Sequence, residues 1–506
     1  MTHAIRIYRS GKLVCKTEGS PGETLLARIG AAGVYLDAPC GGQGKCGKCL
    51  VRLGKDGKKA LACRTQIDGD VDVYLPDETE MQIADTGAGA ESPTAERATR
   101  LGVAIDIGTT TVVAHLTDTD TRARLATASG VNAQRPFGAD VISRIQYCAE
   151  NGHGTLTRLI REQLAKLIRA TCATFGARTE DIEYISIAAN TIMGHLAAGY
   201  SPVGMGVVPF TPVSLFGDEL AAPDELRVAK DARVYYAPAI SSYVGGDITA
   251  GMLAAGLEGD PGPSVYLDIG TNGEIVLKIG DKYYCCATAA GPAFEGAEIT
   301  MGMAAVGGAI NHVEWNGEIK LSIIGDTVPR GLCGSGLLDA LAILLETGAV
   351  DETGRLLDRS EIGHEIAGYM GKIDGKNIFR LTSDGSVYMT ASDIRKLQLA
   401  KSAIAAGIQT LLRHTGISED QVKSFVLAGG FGSFMDQYSA ARIGLFPKSF
   451  VPVAKTMGNT AGEGAALALC SESARATLED IRARCEYIEL SSSAVFNEQF
   501  VEQMMF

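Results

Sequence analysis

The chain has 506 residues, a net charge of −13 and 46% hydrophobic residues. That length accommodates two or three domains with sizeable cores, and the acidic balance argues against a nucleic-acid or anionic-membrane partner. No apolar run approaches the length needed to span a bilayer, and Thr2 to Arg9 alternates like a strand, not like a signal peptide. Of the 12 cysteines four are clustered. Cys15, Cys148, Cys172, Cys333, Cys470 and Cys485 are expected as buried thiols in a reducing cytoplasm, and Cys285-Cys286 as two thiols on one strand.

Taken in order, Ala4–Tyr8 and Lys12–Lys16 flank Ser10-Gly11 as a hairpin. Thr24 then opens a short amphipathic helix through Leu25, Leu26 and Ile29. A glycine-rich loop carries Cys40, Cys46 and Cys49, and Cys63 follows downstream, after a strand at Leu50–Leu53 and the Asp56-Gly57 turn. Three cysteines in such a loop with a fourth beyond it is the layout that wraps a [2Fe-2S] cluster. Gly41, Gly42, Gly44 and Gly47 let backbone N–H groups approach the inorganic core. The first gap is one residue longer than the plant-type spacing, which changes loop length and not ligand count. A zinc ribbon usually shows two separated Cys-x2-Cys pairs, and only Cys46–Cys49 has that spacing here. With a last strand near Val71–Tyr74, residues 1–78 resemble the β-grasp [2Fe-2S] ferredoxin domain, which implies one-electron transfer. Residues 79–99, with Gly87–Ala90, Ser92-Pro93 and almost no large apolar side chains, predict a flexible linker. A coil of about 20 residues spans roughly 25 Å.

From 100 to 506 an internal echo dominates. Val103–Val113 and Val265–Ile275 each read as an apolar strand, then Asp-Ile-Gly-Thr, then a second apolar strand. Each is a hairpin whose turn offers glycine, small hydroxyls and free N–H groups suited to a phosphate oxygen: Gly108, Thr109, Thr110 and Thr111 in the first, Gly270, Thr271, Asn272 and Gly273 in the second. Aspartates beside phosphates repel them unless a divalent cation intervenes, so Asp106 and Asp268 imply Mg²⁺, held partly through water. Phe425–Ala428 predicts a buried strand running into Gly429, Gly430, Phe431 and Gly432, where a flat ligand approaches backbone. Val244–Leu253 and Gly458–Leu467 are small-residue stretches suited to two closely packed helices. Gly291–Glu298 and Gly331–Asp339 are cleft candidates or tight turns, and Asp393–Leu412 is a long amphipathic core helix. No Walker A spacing occurs.

In that order these stretches resemble phosphate 1, connect 1, phosphate 2, adenosine and connect 2 of the actin, sugar-kinase and Hsp70-like ATPases (ASKHA, ribonuclease H-like). The fold expected is therefore α/β: a β-grasp ferredoxin domain joined to a two-lobed ATPase with lobes of roughly 100–260 and 261–506. That resemblance implies Mg-ATP bound between the lobes. A ferredoxin module fused to such an ATPase resembles the reductive activators of corrinoid proteins. Members restore cobalt(I) from cobalt(II) in a methyltransferase's corrinoid protein with an electron from an external low-potential donor, at the expense of ATP. Carried over, Cys40, Cys46, Cys49 and Cys63 hold the cluster, Asp106 and Asp268 position Mg²⁺ and water, and Asp247 is the candidate general base. Larger members have an extra domain between the two modules, absent here, so a homodimer like theirs is an open expectation. The competing classes are an ATP-dependent activator of a radical 2-hydroxyacyl-CoA dehydratase, which carries its cluster cysteines inside the ATPase, and a nucleotide-gated redox-sensing scaffold. A sugar or acid kinase leaves the cysteine module without a purpose.

Overall fold

The structure, a computed structural model, describes residues 2–34, 36, 38, 42, 44, 48–54, 57–76, 100–296, 298–325, 327–363, 365–432 and 434–506. Cys40, Cys46 and the tether expected at 79–99 lie outside the described residues. Among the described residues no helix is long and apolar enough to cross a membrane.

Residues 2–76 form a five-stranded sheet in the order Lys12–Gly19, His3–Arg9, Val71–Tyr74, Leu50–Leu53, Lys59–Leu61. The His3–Arg9 and Val71–Tyr74 strands pair in parallel at its centre, and the other pairings are antiparallel. Ser10 and Gly11 both take positive φ, 50° and 74°, as a two-residue hairpin turn requires. The helix Leu25–Ala31 starts where Thr24 Oγ1 accepts the Ala27 N–H at 3.3 Å. Its Leu25, Leu26 and Ile29 join Ile5, Ile7, Val51 and Val73 in a separate core that also takes in Cys49 and Cys63. The strand Lys59–Leu61 was not expected: three residues carry too little alternation to register as a strand.

The rest of the chain is built on two six-stranded sheets. One runs Glu219–Ala221, Arg233–Tyr236, Ile182–Ala189, Leu101–Ile107, Thr111–Asp118, Arg124–Val131. The other runs Ala454–Thr456, Ser424–Ala428, Ser264–Ile269, Gly273–Ile279, Lys282–Thr288, Cys485–Tyr487. The echoed stretches take matching places. Leu101–Ile107 pairs antiparallel with Thr111–Asp118 and parallel with Ile182–Ala189; Ser264–Ile269 pairs antiparallel with Gly273–Ile279 and parallel with Ser424–Ala428. Side chains alternate along each strand. Val103, Ile105 and Ile107 enter one core, and Val265, Leu267 and Ile269 another. Ala104 and Tyr266 point the other way, toward the helices Gly246–Ala254 and Thr460–Cys470. By the same alternation Asp106 and Asp268 lie on that second face. The two helices pack at backbone distance, since a Cβ on Gly464 would stand 2.0 Å from the Ala250 carbonyl oxygen.

Two small three-stranded sheets, around Ala309–Trp315 and Lys376–Arg380, were not foreseen. The long helix runs Ala391–Thr415 behind a Thr390/Asp393 capping box, with Ile394, Leu397, Ile404, Ile408 and Leu411 in the core. Its buried polar residues also have partners: Gln398, Lys401 and Ser402 donate to the carbonyls of Met504, Met505 and Gln503. Cys148, Cys172 and Cys333 are buried as expected, and Cys285 and Cys286 share the strand Lys282–Thr288 as expected, both buried. Cys15, Cys470 and Cys485 are only half-buried, because they sit on edge strands or at a helix end.

Candidate active site

The two echoed turns sit on matching hairpins, the first one residue longer than the second, and are brought together. Gly108 N donates to the Thr111 carbonyl at 2.9 Å, and Gly270 N to the Asn272 carbonyl at 2.9 Å. Asn132 fastens the first turn, donating its backbone N–H to the Thr110 carbonyl and its Nδ2 to the Gly108 carbonyl, each at 2.8 Å. Beneath it the fully buried Arg144 donates to the carbonyls of Thr109 at 2.6 Å and Gly138 at 2.9 Å. The hydroxyls of Thr110 and Thr271 meet at 3.1 Å. Glu295 spans both: Thr110 Oγ1 donates to Oε2 at 3.0 Å and Thr271 Oγ1 to Oε1 at 3.1 Å.

Carboxyl groups crowd behind the turns. Burial and the neighbouring Asp268 push Asp106 up to about 7, while a hydrogen bond from Asn459 holds it down. Burial pushes Asp268 up to about 6 against a hydrogen bond from the Tyr266 hydroxyl, 3.4 Å away. Asp247, in the first turn of its helix, rises to about 8 through burial and then the charges of Asp268 and Asp106. The buried Glu274 is also raised, by burial first and then by Asp247 and Asp268. The charge of Asp268 thus acts on both Asp106 and Asp247, and that of Asp106 on Asp247, which places the three sequence-predicted aspartates near one another. A hard dication fits such an all-oxygen site. Among the described residues no group of three or more such side chains converges on one metal position.

The third stretch arrives by register. Ala428 pairs with Asp268, so Gly429 follows beside that aspartate; its φ is +88°, and a Cβ there would stand 2.6 Å from Asp268 Oδ1. Gly270 and Gly430 have open space where a Cβ would point. Phe431 stacks on Phe294 at 5.4 Å and 10°, and Gly334 lies against both. This gathers Gly291–Glu298 and Gly331–Asp339 around the cleft. Within them Ser335 Oγ is spent on the Asn311 carbonyl at 2.7 Å, and Asp339 accepts from His312 and Val313 N. Gly273 has a packing reason of its own, with Ile404 and Thr288 both 2.9 Å from a Cβ placed there.

Of the four sequence-predicted cysteine ligands, two are described. Cys49 Sγ and Cys63 Sγ stand 3.3 Å apart in the small core, far beyond a disulfide bond. Two thiolates on one tetrahedral metal at about 2.3 Å stand about 3.7 Å apart, so this pair fits a shared metal. Gly42 and Gly44 take φ of +85° and +72°, and Gly42 lies over the Cys63 Cβ.

The comparisons join these parts. A family model described as the RACo middle region matches residues 101–260, and one described as the C-terminal domain of RACo, the ASKHA domain, matches 262–506. The chain is 32% identical to the corrinoid activation enzyme RamQ of Eubacterium limosum, over 96% of each chain. The chain belongs to the RACo family of reductive activators of corrinoid proteins. A second relative is the reductase of the Co(II) methylated amine-specific corrinoid protein from Methanosarcina barkeri, 25% identical over 80% of this chain and 77% of that one. The solved structure of a reductive activator for corrinoid, iron-sulfur protein superposes with a TM-score of 0.73 at 28% identity, covering 100% of this chain and 98% of that one. In RACo terms the two echoed turns fall in different matched segments, one in the middle region and one in the ASKHA domain.

Sequence reading passed over several members of this site. Glu274 and Asn459 fall inside the Val265–Ile275 and Gly458–Leu467 stretches, whose pattern assigns neither a role. Arg144 had a signal: it falls on the apolar stripe of its helix, between Val141, Ile145 and Cys148. Asn132 had none.

Proposed function

We propose that the chain is an ATP-hydrolysing activase that reduces the cobalt of a corrinoid protein from Co(II) to Co(I), rescuing a methyltransferase system. The observation that carries this reading is the meeting of the Thr110 and Thr271 turns over three aspartates, in a member of the corrinoid-activator family. In this reading residues 1–78 are a β-grasp [2Fe-2S] ferredoxin domain, 79–99 a linker, and 100–506 the ATPase with lobes divided near 260. Cys40, Cys46, Cys49 and Cys63 would hold the cluster, which supplies one-electron chemistry when bound. An external low-potential donor reduces the protein, and the setting is the cytoplasm.

The cleft residues then divide the work on ATP. The N–H and hydroxyl groups of Gly108–Thr111 and Gly270–Gly273 orient the phosphates, and Gly429–Gly432 with Phe431 give the base a flat wall. Asp106 and Asp268 would hold Mg²⁺, which neutralises phosphate charge when bound. Asp247, in the first turn of its helix beside Asp268 and Asp106, is the candidate to take a proton from water once a bound cation favours its ionised form. The test mixes reduced protein, Mg-ATP and a cobalt(II) corrinoid protein under anaerobic conditions. The cobalt(I) absorption band is expected only with ATP present; its absence with a competent corrinoid partner refutes the reading.

A further inference from the structure

The hydroxyls suited to a phosphate already have an anion on them. Glu295 takes hydrogen bonds from Thr110 and Thr271; burial raises its carboxyl above the ordinary value, and the charges of Arg135 and Arg144 together with those two hydrogen bonds oppose the rise and favour the anion. A carboxylate bridging two hydroxyls beside two guanidinium groups occupies the electrostatic place of a terminal phosphate. A polyphosphate and this carboxylate repel each other, so both cannot keep that place.

Glu295 is also close to where the cysteine-bearing sheet touches the ATPase. The next residue, Gly296, has φ +74° and lies against Gly302 so tightly that a Cβ on Gly302 would stand 2.2 Å from the Gly296 carbonyl oxygen. That same Gly302 offers its own carbonyl to Lys48 Nζ at 2.7 Å. Met303 N–H donates to the Leu332 carbonyl at 2.9 Å and Leu332 N–H to the Met301 carbonyl at 2.8 Å, so the segment is held on the strand Gly331–Leu332. A second approach lies on the other arm: a Cβ on Gly30, in the helix Leu25–Ala31, would stand 3.4 Å from the side chains of Pro136 and Phe137, directly after Arg135. Two contacts of the small sheet with the ATPase thus lie on segments that converge on one carboxylate.

We propose that Glu295 senses nucleotide for the cysteine-bearing module: without ATP it clamps the two phosphate turns, and a terminal phosphate displaces it, moving Gly296, Gly302 and Pro136-Phe137 and loosening the hold on Lys48 and Gly30. This rests on the Thr110 and Thr271 turns being phosphate sites. The displaced carboxylate keeps its charge and no bond is made or broken, so the device is conformational. Linkage makes it reciprocal: the factor by which the closed latch lowers nucleotide affinity is the factor by which bound nucleotide weakens the latch.

Hydrogen exchange of the full chain with Mg²⁺ and a non-hydrolysable ATP analogue tests this. Protection of 106–113 and 268–275 reports nucleotide binding; faster exchange at 298–304 and 24–34, by threefold or more, is the expected signature of release. Lys48→Ala, outside the cleft, is expected to bind the analogue about three- to tenfold more tightly, and Glu295→Gln likewise. If the turns are protected while 298–304 and 24–34 are unchanged, and Lys48→Ala binds like the parent, the sensing role is overturned and the phosphate reading stands. If the turns gain no protection, the phosphate reading falls and the sensor with it.

Discussion

Thr110 Oγ1 and Thr271 Oγ1 stand 3.1 Å apart although 161 residues separate them in the chain. Two hydroxyls placed that close, from two different sheets, are positioned to serve one anion. Thr110→Val and Thr271→Val are therefore expected to weaken binding of a fluorescent ATP analogue by about three- to tenfold each, in line with about 1 kcal/mol per hydrogen bond. The double variant should fall short of the product of the two, because both hydroxyls serve the same group. Full multiplicativity would place the hydroxyls on separate ligands.

Asp268 sits against both the third stretch and the first turn's aspartate. Asp268→Asn keeps the volume and removes the charge. ATP turnover is expected to drop by at least a hundredfold while the visible absorbance of the reconstituted protein stays as in the parent, since the cysteine-bearing sheet has its own core. Undiminished phosphate release in a coupled assay removes Asp268 from the reaction.

How far the sequence reveals this site follows from what each signal depends on. The echoed Asp-Ile-Gly-Thr turns are local hairpins, so their strands, their glycines and the alternation that puts Asp106 and Asp268 on one face were all readable from period 2. Gly464 against Ala250 was readable as a run of small residues. Glu295 was visible only as a carboxylate among glycines, because what makes it a bridge is the approach of two turns far apart in sequence. Arg144 was half legible, a charge on an apolar stripe whose buried partners are backbone carbonyls that no side-chain pattern encodes. The sheet Lys376–Arg380 belongs to was missed because its strands are short and interrupted by Asp374-Gly375 and Ser383–Ser386 turns.

Cys63→Ser tests the cysteine site without touching the cleft. Its Sγ lies 3.3 Å from that of Cys49 in the small core. Expected are loss of the visible charge-transfer bands and of the electron paramagnetic resonance signal of the reduced protein, with ATP-analogue binding unchanged within twofold. Cys46→Ala should behave the same way and abolish activation. Retained absorbance in both variants removes these residues as ligands.

His312 gives a pH dependence outside the site. Its Nδ1 lies 3.1 Å from Asp339 Oδ2, and that hydrogen bond, opposed by burial and helped by the charges of Asp339, Asp436 and Glu314, raises the imidazole above its ordinary value. A raised histidine stabilises the fold fully below the unfolded value of about 6.5, and that contribution is lost as pH rises through the folded value. NMR titration of the parent should show the raised midpoint, and Asp339→Asn should return it toward 6.5. Melting between pH 6 and 8.5 should fall more steeply in the parent than in Asp339→Asn; equal slopes would disconnect the pair from stability.

Gly464 sets how closely the helices Gly246–Ala254 and Thr460–Cys470 approach. Alanine is the better helix former by about 1 kcal/mol, so on propensity alone Gly464→Ala stabilises. The added Cβ, however, would stand 2.0 Å from the Ala250 carbonyl oxygen and 2.4 Å from its carbon. Backbone cannot yield as a flexible side chain does, so the helices must separate, at a cost of about 1–3 kcal/mol. The clash wins, and a melting temperature several degrees lower is expected. Gly154→Ala, at the start of the helix Gly154–Phe175, is the control: nothing lies within 4 Å of its Cβ position, so propensity acts alone and the melting temperature should hold or rise. Since the two helices carry Asp247 and follow Asn459, their separation should also weaken ATP-analogue binding in Gly464→Ala and not in Gly154→Ala. A Gly464→Ala variant as stable as the control would mean that the helices adjust without strain.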